Sequence, residues 1–150
     1  MHGGVIMKQT ILLLFFLLVP FLSHVCTASA QGQYLAAAEL NKILSDRTFI
    51  MTDTDENQKN NHVYFAKDGK YTILFSSGNI RSTEKWNIDE NENLCLRRAR
   101  RSGGETNYIT RCGKVSLAGT NALTLYNDKG EQINTLQFLG NGNLLDQFAK

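Results

Sequence analysis

From Arg47 onward, polar and hydrophobic positions alternate in short runs that are rich in Thr, Ile, Phe, Tyr and Val. Asp-Gly, Gly-Asn, Gly-Gly and Asn-Asp pairs separate these runs at intervals of about ten residues, a spacing typical of an antiparallel meander. We therefore predict a mainly β domain of seven or eight strands, the sixth either continuous or broken at Gly113. The predicted strands cover residues 47–53, 62–67, 70–77, 80–89, 94–101, 106–117, 121–127 and 131–139. Hairpin connections between so many strands favour a closed up-and-down barrel, because closure leaves no exposed sheet edge.

A different periodicity precedes the strands, in residues 34–44 (YLAAAELNKIL). Leu35, Ala38 and Leu40 fall near one side at helical spacing, which predicts one short N-terminal amphipathic helix. We expect this helix to close or flank one end of the barrel.

The segment VYFAKDGKYTILF contains an Asp-Gly turn whose length can be tested against side-chain parity. A three-residue loop ending at Gly69 sets Phe65 opposite Tyr71. In the same register Val63 lies opposite Ile73, and one face of the hairpin is wholly apolar or aromatic. A two-residue loop would mix the two faces, so the longer loop is predicted.

In the predicted strand 80–89, alternate residues share a face with Trp86, and we expect this face to point inward. The inward residues are Ile80, Ser82, Glu84, Trp86 and Ile88. A carboxylate on that face must be solvated at the barrel mouth, paired with a cation or neutralised by a raised pKa. Glu84 therefore either contacts a ligand beside Trp86 or forms a structural salt bridge with one of the arginines.

The first thirty residues have the pattern of a secretory signal peptide. An apolar run of about a dozen residues, ILLLFFLLVPFL, follows Lys8 and precedes an A-x-A site. The run is shorter than the roughly 20 residues that a transmembrane helix needs. We predict cleavage after Ala30, with either Met1 or Met7 as the start of translation. A lipoprotein signal places a small residue directly before its cysteine, whereas Val25 precedes Cys26, so lipid modification of Cys26 is disfavoured.

Cleavage leaves residues 31–150, enough for one domain with a hydrophobic core and too few for two. We expect a single barrel domain that is periplasmic or secreted and has no membrane span. Lys8 is the only charged residue removed, so fifteen Lys and Arg face fourteen Asp and Glu. This near balance disfavours a general polyanion binder, and we predict no nucleic-acid partner.

The domain contains two cysteines, Cys95 and Cys112, and one histidine, His62. An even cysteine pair in an oxidising compartment predicts a disulfide. A single histidine excludes a His-rich zinc site, and the chain has no G-x-S-x-G nucleophile motif. We predict no metal, no cofactor and no catalytic residue, and a surface or barrel-end position for His62.

The stretch DTDENQ places oxygen-bearing side chains at Asp53, Asp55 and Asn57, like the opening of a calcium loop. The sixth position is Gln58 rather than glycine, and the twelfth is Tyr64 rather than the glutamate that completes coordination. We predict a solvated loop between the first two strands.

The stretch CLRRARRSGGETNYITRC, between the two cysteines, holds four arginines within five positions. An antiparallel hairpin with a two-residue Gly-Gly turn brings Cys95 opposite Cys112, so the turn and the disulfide demand the same register. Arg97 and Arg101 then share one face of the hairpin, and Arg98 and Arg100 share the other. No face collects all four, which disfavours a nucleic-acid surface. We predict a stapled prong with a charged, solvated tip that contacts an acidic partner or the neighbourhood of Glu84.

The combination of YFAKDGKY, KWNIDENENLCL and a second cysteine after a hairpin resembles small exported bacterial domains of calycin-like (lipocalin- or avidin-type) families, which are uncharacterised. The resemblance covers roughly residues 44–139. The matching positions are Tyr64, Phe65, Asp68, Gly69, Trp86, Ile88, Cys95 and Cys112. Glu84 stands where these families often carry glycine, and the N-terminal G-x-W of true lipocalins is missing. The resemblance implies a small barrel and no particular ligand; a weaker one is to exported bacterial protease-inhibitor barrels.

These observations predict an exported, non-enzymatic binding module. Its ligand would be a small apolar or amphipathic molecule in the barrel, or a protein partner at the loops. The predicted ligand-binding residues are Phe65, Ile73, Phe75, Glu84 and Trp86, and the predicted partner contacts are Arg97, Arg98, Arg100 and Arg101. An inhibitor of a secreted hydrolase is the second hypothesis and an uncharacterised enzyme the third. A lumen cavity of several hundred Å³ would favour the small molecule over the protein partner.

Overall fold

The computed structural model describes residues 33–54, 58–78 and 80–150, with the backbone alone at residues 101–102. The predicted signal peptide, residues 1–30, lies outside the described residues, as do residues 55–57 of the predicted calcium-like loop. None of the helices in the described part of the chain is long and apolar enough to cross a membrane.

Eight antiparallel strands form a closed barrel in which each strand pairs with the next and the last pairs with the first. The strands are β1 (Arg47–Asp53), β2 (Asn60–Phe65), β3 (Lys70–Leu74), β4 (Arg81–Ile88), β5 (Leu94–Ser102), β6 (Glu105–Leu117), β7 (Ala122–Tyr126) and β8 (Gln132–Asn141). Helix α1 (Ala37–Leu44) precedes them, and a short 3-10 turn, Leu145–Gln147, follows. The predicted fold class is confirmed.

The helix begins three residues later than predicted. Tyr34 instead forms an antiparallel bridge with Ser116, and the N–H of Leu35 donates to the carbonyl of Val115 (2.8 Å). These two residues therefore extend the sheet beside β6 and cannot take helical geometry. The helix itself packs Leu40 and Leu44 into the barrel core and closes one end, hereafter the closed end.

The loop between β3 and β4 is longer than predicted, since β3 ends at Leu74 and β4 begins at Arg81. The N–H of Phe75 donates to the carbonyl of Ile80 (3.0 Å), which closes a turn and holds both residues outside the strands. The prediction that Ile80 faces inward is wrong, because its side chain is 61% exposed. This loop lies at the opposite end of the barrel from α1, hereafter the mouth.

The predicted register of the β2–β3 hairpin is confirmed, with Phe65 opposite Tyr71 and Val63 opposite Ile73. Gly69 has a φ of +79°, the left-handed conformation that a three-residue loop requires at its last position. All four side chains are buried and belong to one hydrophobic core.

That core fills the half of the barrel nearest to α1. Phe49 packs edge-to-face against both Phe65 and Phe138, each at 5.8 Å between ring centroids. Trp86 packs against Phe65, and its indole N–H donates to the carbonyl of Ala66 (3.0 Å). The closed end is thus a packed hydrophobic interior whose one indole donor is satisfied.

Strands β5 and β6 extend beyond their neighbours at the mouth. Pairing of β5 with β4 stops at Arg97 opposite Lys85, and pairing of β6 with β7 stops at Lys114 opposite Tyr126. In the described structure, residues 98–102 pair only with β6, and residues 105–112 pair only with β5. We call this two-stranded projection the arginine ribbon.

The arginine ribbon has the register that its turn and its cysteines predict. Gly103 and Gly104 both have positive φ, as a two-residue type I′ turn requires. Cys95 lies opposite Cys112 and the two form a disulfide, close to where the ribbon leaves the barrel.

Candidate functional site

The barrel interior changes from apolar to polar between the closed end and the mouth. Four buried polar side chains, absent from the hydrophobic core, occupy strand positions that alternation directs inward. They are Asp53, Asn61, Glu84 and Asn134. Each belongs to the mouth half of its strand, so the interior of the barrel is polar on the mouth side.

A cavity of about 450 Å³ lies in this mouth half of the barrel interior. Its walls come from β1, β3, β5, β6 and β8, so it lies inside the barrel rather than on its outer face. The lining residues are Met51, Asp53, Tyr71, Leu96, Arg98, Ala99, Arg100, Ile109, Arg111 and Asn134. This volume falls in the usual range for small-molecule sites, roughly 300–1,000 Å³.

An acidic residue and two arginines face one another across the cavity. Asp53 on β1 lies 3.9 Å from Arg98 on β5 and 3.6 Å from Arg111 on β6, measured between carboxylate oxygen and guanidinium nitrogen. Three strands separate β1 from β5 in either direction around the barrel, so the Asp53–Arg98 pair spans the lumen. The Asp53 side chain is only 4% exposed, and both cations offset the cost of burying its charge.

Arg100 adds a third positive charge to the cavity wall. Within the described residues it makes no ion pair, in contrast to its neighbour Arg98. Three arginines and one aspartate therefore line the space, and the excess of positive charge favours an anionic group inside it.

The inner wall of the cavity is apolar. Met51 and Leu96 are buried there, and Tyr71 spans from β3 to donate its hydroxyl to the carbonyl of Arg97 (3.3 Å). Burial raises the pKa of the Tyr71 phenol far above its usual value, and the nearby Glu84 carboxylate raises it further. Tyr71 is therefore a neutral wall residue, and the cavity combines an apolar interior with a cationic rim.

The five predicted ligand-binding residues are divided between two environments. Phe65, Ile73 and Trp86 belong to the packed core beneath the cavity. Phe75 and Glu84 line a separate open groove between β4 and β5. The 450 Å³ cavity therefore lies on the mouth side of Phe65, Ile73 and Trp86, and its lining does not include Phe75 or Glu84.

Glu84 is buried, as its inward position predicts, and its carboxylate accepts a hydrogen bond from the hydroxyl of Ser82 (2.6 Å). The predicted salt bridge from an arginine to Glu84 is absent among the described residues. Arg98 and Arg111 contact Asp53 instead. No second carboxylate lines the groove beside Glu84.

The predicted partner contacts lie on two sides of the arginine ribbon. Arg98 and Arg100 line the cavity, whereas Arg97 lines the outer groove and places its guanidinium 4.2 Å from the centre of the Tyr108 ring. The Arg101 side chain lies outside the described residues. Arg98 is not part of a solvated tip, because it is half-buried against Asp53.

Sequence reasoning missed Asp53, which it assigned to a solvated calcium-like loop. The signal was present in the parity of β1, since Asp53 shares its face with Phe49 and Met51. Parity likewise places Arg98 on the face of Leu94 and Leu96, and that face points inward.

Two other groups of polar side chains have structural explanations. The imidazole of His62 stacks on Phe148 of the C-terminal segment at 4.0 Å, and partial burial lowers its pKa. Asp89 lies near Cys95 and Cys112 at distances that would suit a metal ion, but both sulfur atoms are joined in the disulfide.

Comparison of the chain with protein-family models, curated proteins and solved structures returns no match. The barrel, its cavity and its charges are therefore the features that bear on function.

Proposed function

We propose that this protein is an exported, non-enzymatic binding module that takes a small amphipathic anion into the mouth of its barrel. The anionic group lies among Arg98, Arg100 and Arg111, and the apolar part lies against Met51, Leu96 and Tyr71. The single observation that carries this proposal is the 450 Å³ cavity whose inner wall is apolar and whose rim holds three arginines.

Charge makes the ligand amphipathic rather than purely apolar. A neutral oil would make no use of the positive charge that Arg98, Arg100 and Arg111 place on the cavity wall, whereas carboxylate, sulfate or phosphate oxygens suit guanidinium donors. A small polar anion would leave the apolar wall exposed to water. A molecule with one anionic end and a short aliphatic or aromatic body fits both surfaces.

Two features support the wider classification. An eight-stranded antiparallel barrel with one closing helix is compatible with a calycin-like module, a class of barrel that holds ligands at its mouth. The Cys95–Cys112 disulfide suits an oxidising compartment, which supports export to the periplasm or the medium.

The described residues give no support to an enzyme. His62 stacks on the outer C-terminal segment, and Glu84 has no carboxylate beside it in the groove. A nucleophile, a base and an orienting group are not found together among the cavity-lining residues.

The proposal is tested by calorimetric titration of the purified protein with octanoate and with octanol. The two ligands share their aliphatic chain and differ in the anionic group. We expect octanoate to bind about tenfold more tightly or better, because a charge-assisted hydrogen bond contributes about 1.5–3 kcal/mol. Arg100→Gln should remove most of this difference while leaving octanol binding unchanged.

Arg97→Gln is the matched control, because Arg97 is on the same strand and faces the outer groove. It should bind octanoate like the parent protein. Equal affinity for octanoate and octanol would contradict the anionic class of the ligand, and the absence of binding by either would contradict the cavity as a ligand site.

An inhibitor of a secreted hydrolase is the second candidate, and one observation favours it. The tip of the arginine ribbon, from Gly103 to Tyr108, is exposed and stands clear of the neighbouring strands. A protruding loop of this kind can enter a cleft of another protein. If the tip enters the cleft of a hydrolase, replacing Gly103 and Gly104 by a longer flexible loop should abolish inhibition of that hydrolase. Octanoate binding should be retained in the same variant.

A further inference from the structure

The barrel wall is open between β4 and β5 on the mouth side of Lys85. Their pairing covers only the four residue pairs from Lys85–Arg97 to Ile88–Leu94. Beyond them a groove of about 920 Å³ separates the two strands. The lining residues are Lys70, Phe75, Ile80, Arg81, Ser82, Thr83, Glu84, Lys85, Arg97, Ala99, Thr106 and Tyr108. We call this space the β4–β5 groove.

Main-chain hydrogen-bonding groups of β4 face the β4–β5 groove. The N–H of Trp86 donates to the carbonyl of Gly69 (2.8 Å), on the β3 side of the strand. Because these groups alternate sides along a strand, those of Arg81 and Thr83 are directed to the opposite edge. In the described structure no strand pairs with that edge beyond Lys85. An unpaired edge of this kind is a template for another extended chain.

Two exposed apolar side chains stand on the walls of the groove. Ile80 is 61% exposed on the β3–β4 loop, and Tyr108 is 58% exposed on the arginine ribbon. Strand addition takes its affinity from main-chain hydrogen bonds and its specificity from pockets for alternate side chains. Ile80 and Tyr108 provide apolar contacts of the kind that such side chains use.

The rim of the groove is basic. Lys70 pairs with Asp68, and Arg81 pairs with Asp146. Lys85 and Arg97 are cross-strand neighbours at the point where the groove begins, and neither has an acidic partner among the described residues. Glu84 is the one acidic lining residue, and it is buried and hydrogen-bonded to Ser82.

We propose that the β4–β5 groove binds an extended acidic segment of a partner protein, which adds a strand to the open edge of β4. Main-chain groups of Arg81 and Thr83 pair with the segment, and its carboxylates lie beside Lys85 and Arg97. A second copy of this chain is disfavoured as the occupant, because edge-to-edge pairing of β4 would bring two copies of Arg81 and Lys85 together.

The groove is separate from the cavity of the proposed function. The two sets of lining residues have only Ala99 in common, and they lie on opposite faces of the arginine ribbon. Binding at one site does not require the other, and the two proposals can fail independently.

The test uses two synthetic peptides, one alternating glutamate with valine and one alternating lysine with valine. Their binding to the purified protein is measured by fluorescence anisotropy. We expect the glutamate peptide to bind and the lysine peptide not to bind. In the double variant Lys85→Glu with Arg97→Glu, the glutamate peptide should lose about tenfold or more in affinity, since two attractive charges become repulsive.

Two further variants separate charge from strand pairing. The double variant Lys42→Glu with Lys129→Glu makes the same change in net charge at exposed positions outside the groove, and it should bind the glutamate peptide like the parent protein. Thr83→Pro removes one main-chain donor from the open edge without changing charge, and it should weaken binding of the same peptide. Circular dichroism and thermal unfolding confirm that each variant folds, and octanoate binding should persist in all of them.

Two results would overturn the proposal. Equal binding of the glutamate peptide by the groove and control charge variants would show that the groove does not recognise acidic segments. A dimer in analytical ultracentrifugation that Thr83→Pro abolishes would assign the open edge to a second copy of this chain.

Discussion

Gly113 is the residue at which β6 separates from β7. A β-carbon built on Gly113 would lie 2.0 Å from the carbonyl oxygen of Tyr126 and 3.2 Å from a methyl group of Leu125. Its φ is not positive, so this position requires glycine for lack of space and not for a special backbone conformation. Only a residue without a side chain allows β6 to run unbroken past the last residue of β7.

We expect Gly113→Ala to lower the free energy of unfolding by about 1–3 kcal/mol, because the methyl group meets backbone that must move. Urea denaturation followed by tryptophan fluorescence measures the change. Gly140→Ala is the control, since its β-carbon meets chiefly the tip of the Leu144 side chain, which can rotate away. Similar destabilisation by the two variants would contradict the role assigned to Gly113.

At the scale of single residues, parity predicted orientation well wherever a strand position was correctly assigned. Glu84 and Trp86 are buried as expected, whereas Ile80 is exposed because the turn before β4 excludes it from the strand. The inward position of Arg98 was not predicted, because a run of arginines has the appearance of a solvated surface. Its contact with Asp53 joins opposite sides of the barrel, and no local pattern reveals such a distant neighbour.

Turn chemistry predicted the hairpin registers at the scale of elements. The Asp-Gly and Gly-Gly turns set the pairing of β2 with β3 and of β5 with β6, and both registers are confirmed. The separation of the arginine ribbon from β4 and β7 was not predicted, since a strand's sequence does not tell how much of its length a neighbour covers. The groove between β4 and β5 lies where that pairing ends.

We expect replacement of both bridge cysteines by alanine to lower the free energy of unfolding by about 3 kcal/mol. The bridge joins residues 17 positions apart. Without it, the unfolded chain has more conformational entropy, which stabilises the unfolded state by about this free energy. Thermal and urea unfolding of the variant, compared with the oxidised protein, give the value. A loss below about 1 kcal/mol would indicate that the hairpin retains its pairing in the unfolded state.

The molecule as a whole combines a stable packed half with a polar open half. The closed end holds the hydrophobic core and helix α1, whereas the mouth holds the buried polar groups and both candidate binding surfaces. Tyr71 lies between the two halves, with its ring in the core and its hydroxyl bonded to the backbone of Arg97.

Tyr71 should make global stability fall at alkaline pH. Its pKa is raised in the folded state, so its contribution is fully present below the unfolded value of about 10 and is lost as the pH rises above it. The unfolded chain then releases a proton that the folded protein retains. Urea unfolding between pH 9 and pH 11 should show a decline of up to about 1.4 kcal/mol per pH unit from this group.

Tyr71→Phe should reduce the alkaline decline without abolishing it, because a hydrogen bond to Asp46 also raises the pKa of Tyr64. Tyr108→Phe is the matched control, since that side chain is exposed, and it should retain the decline of the parent protein. An undiminished decline in Tyr71→Phe would show that the phenol ionises without unfolding the barrel.

The ending of β-ladder pairing at Lys85 and Lys114 also has a mechanical consequence. No β-ladder pairing joins the arginine ribbon to β4 or β7 beyond those points in the described structure, so we expect the ribbon to tilt more easily than the paired strands below it. The contacts of Arg98 and Arg111 with Asp53 therefore join the ribbon to β1 across the lumen, where no β-ladder to β4 or β7 supports it. If the cavity takes an anion as proposed, we expect the anion to compete with Asp53 for those guanidinium groups, so that the size of molecule the site accepts would depend on its charge as well as on its bulk.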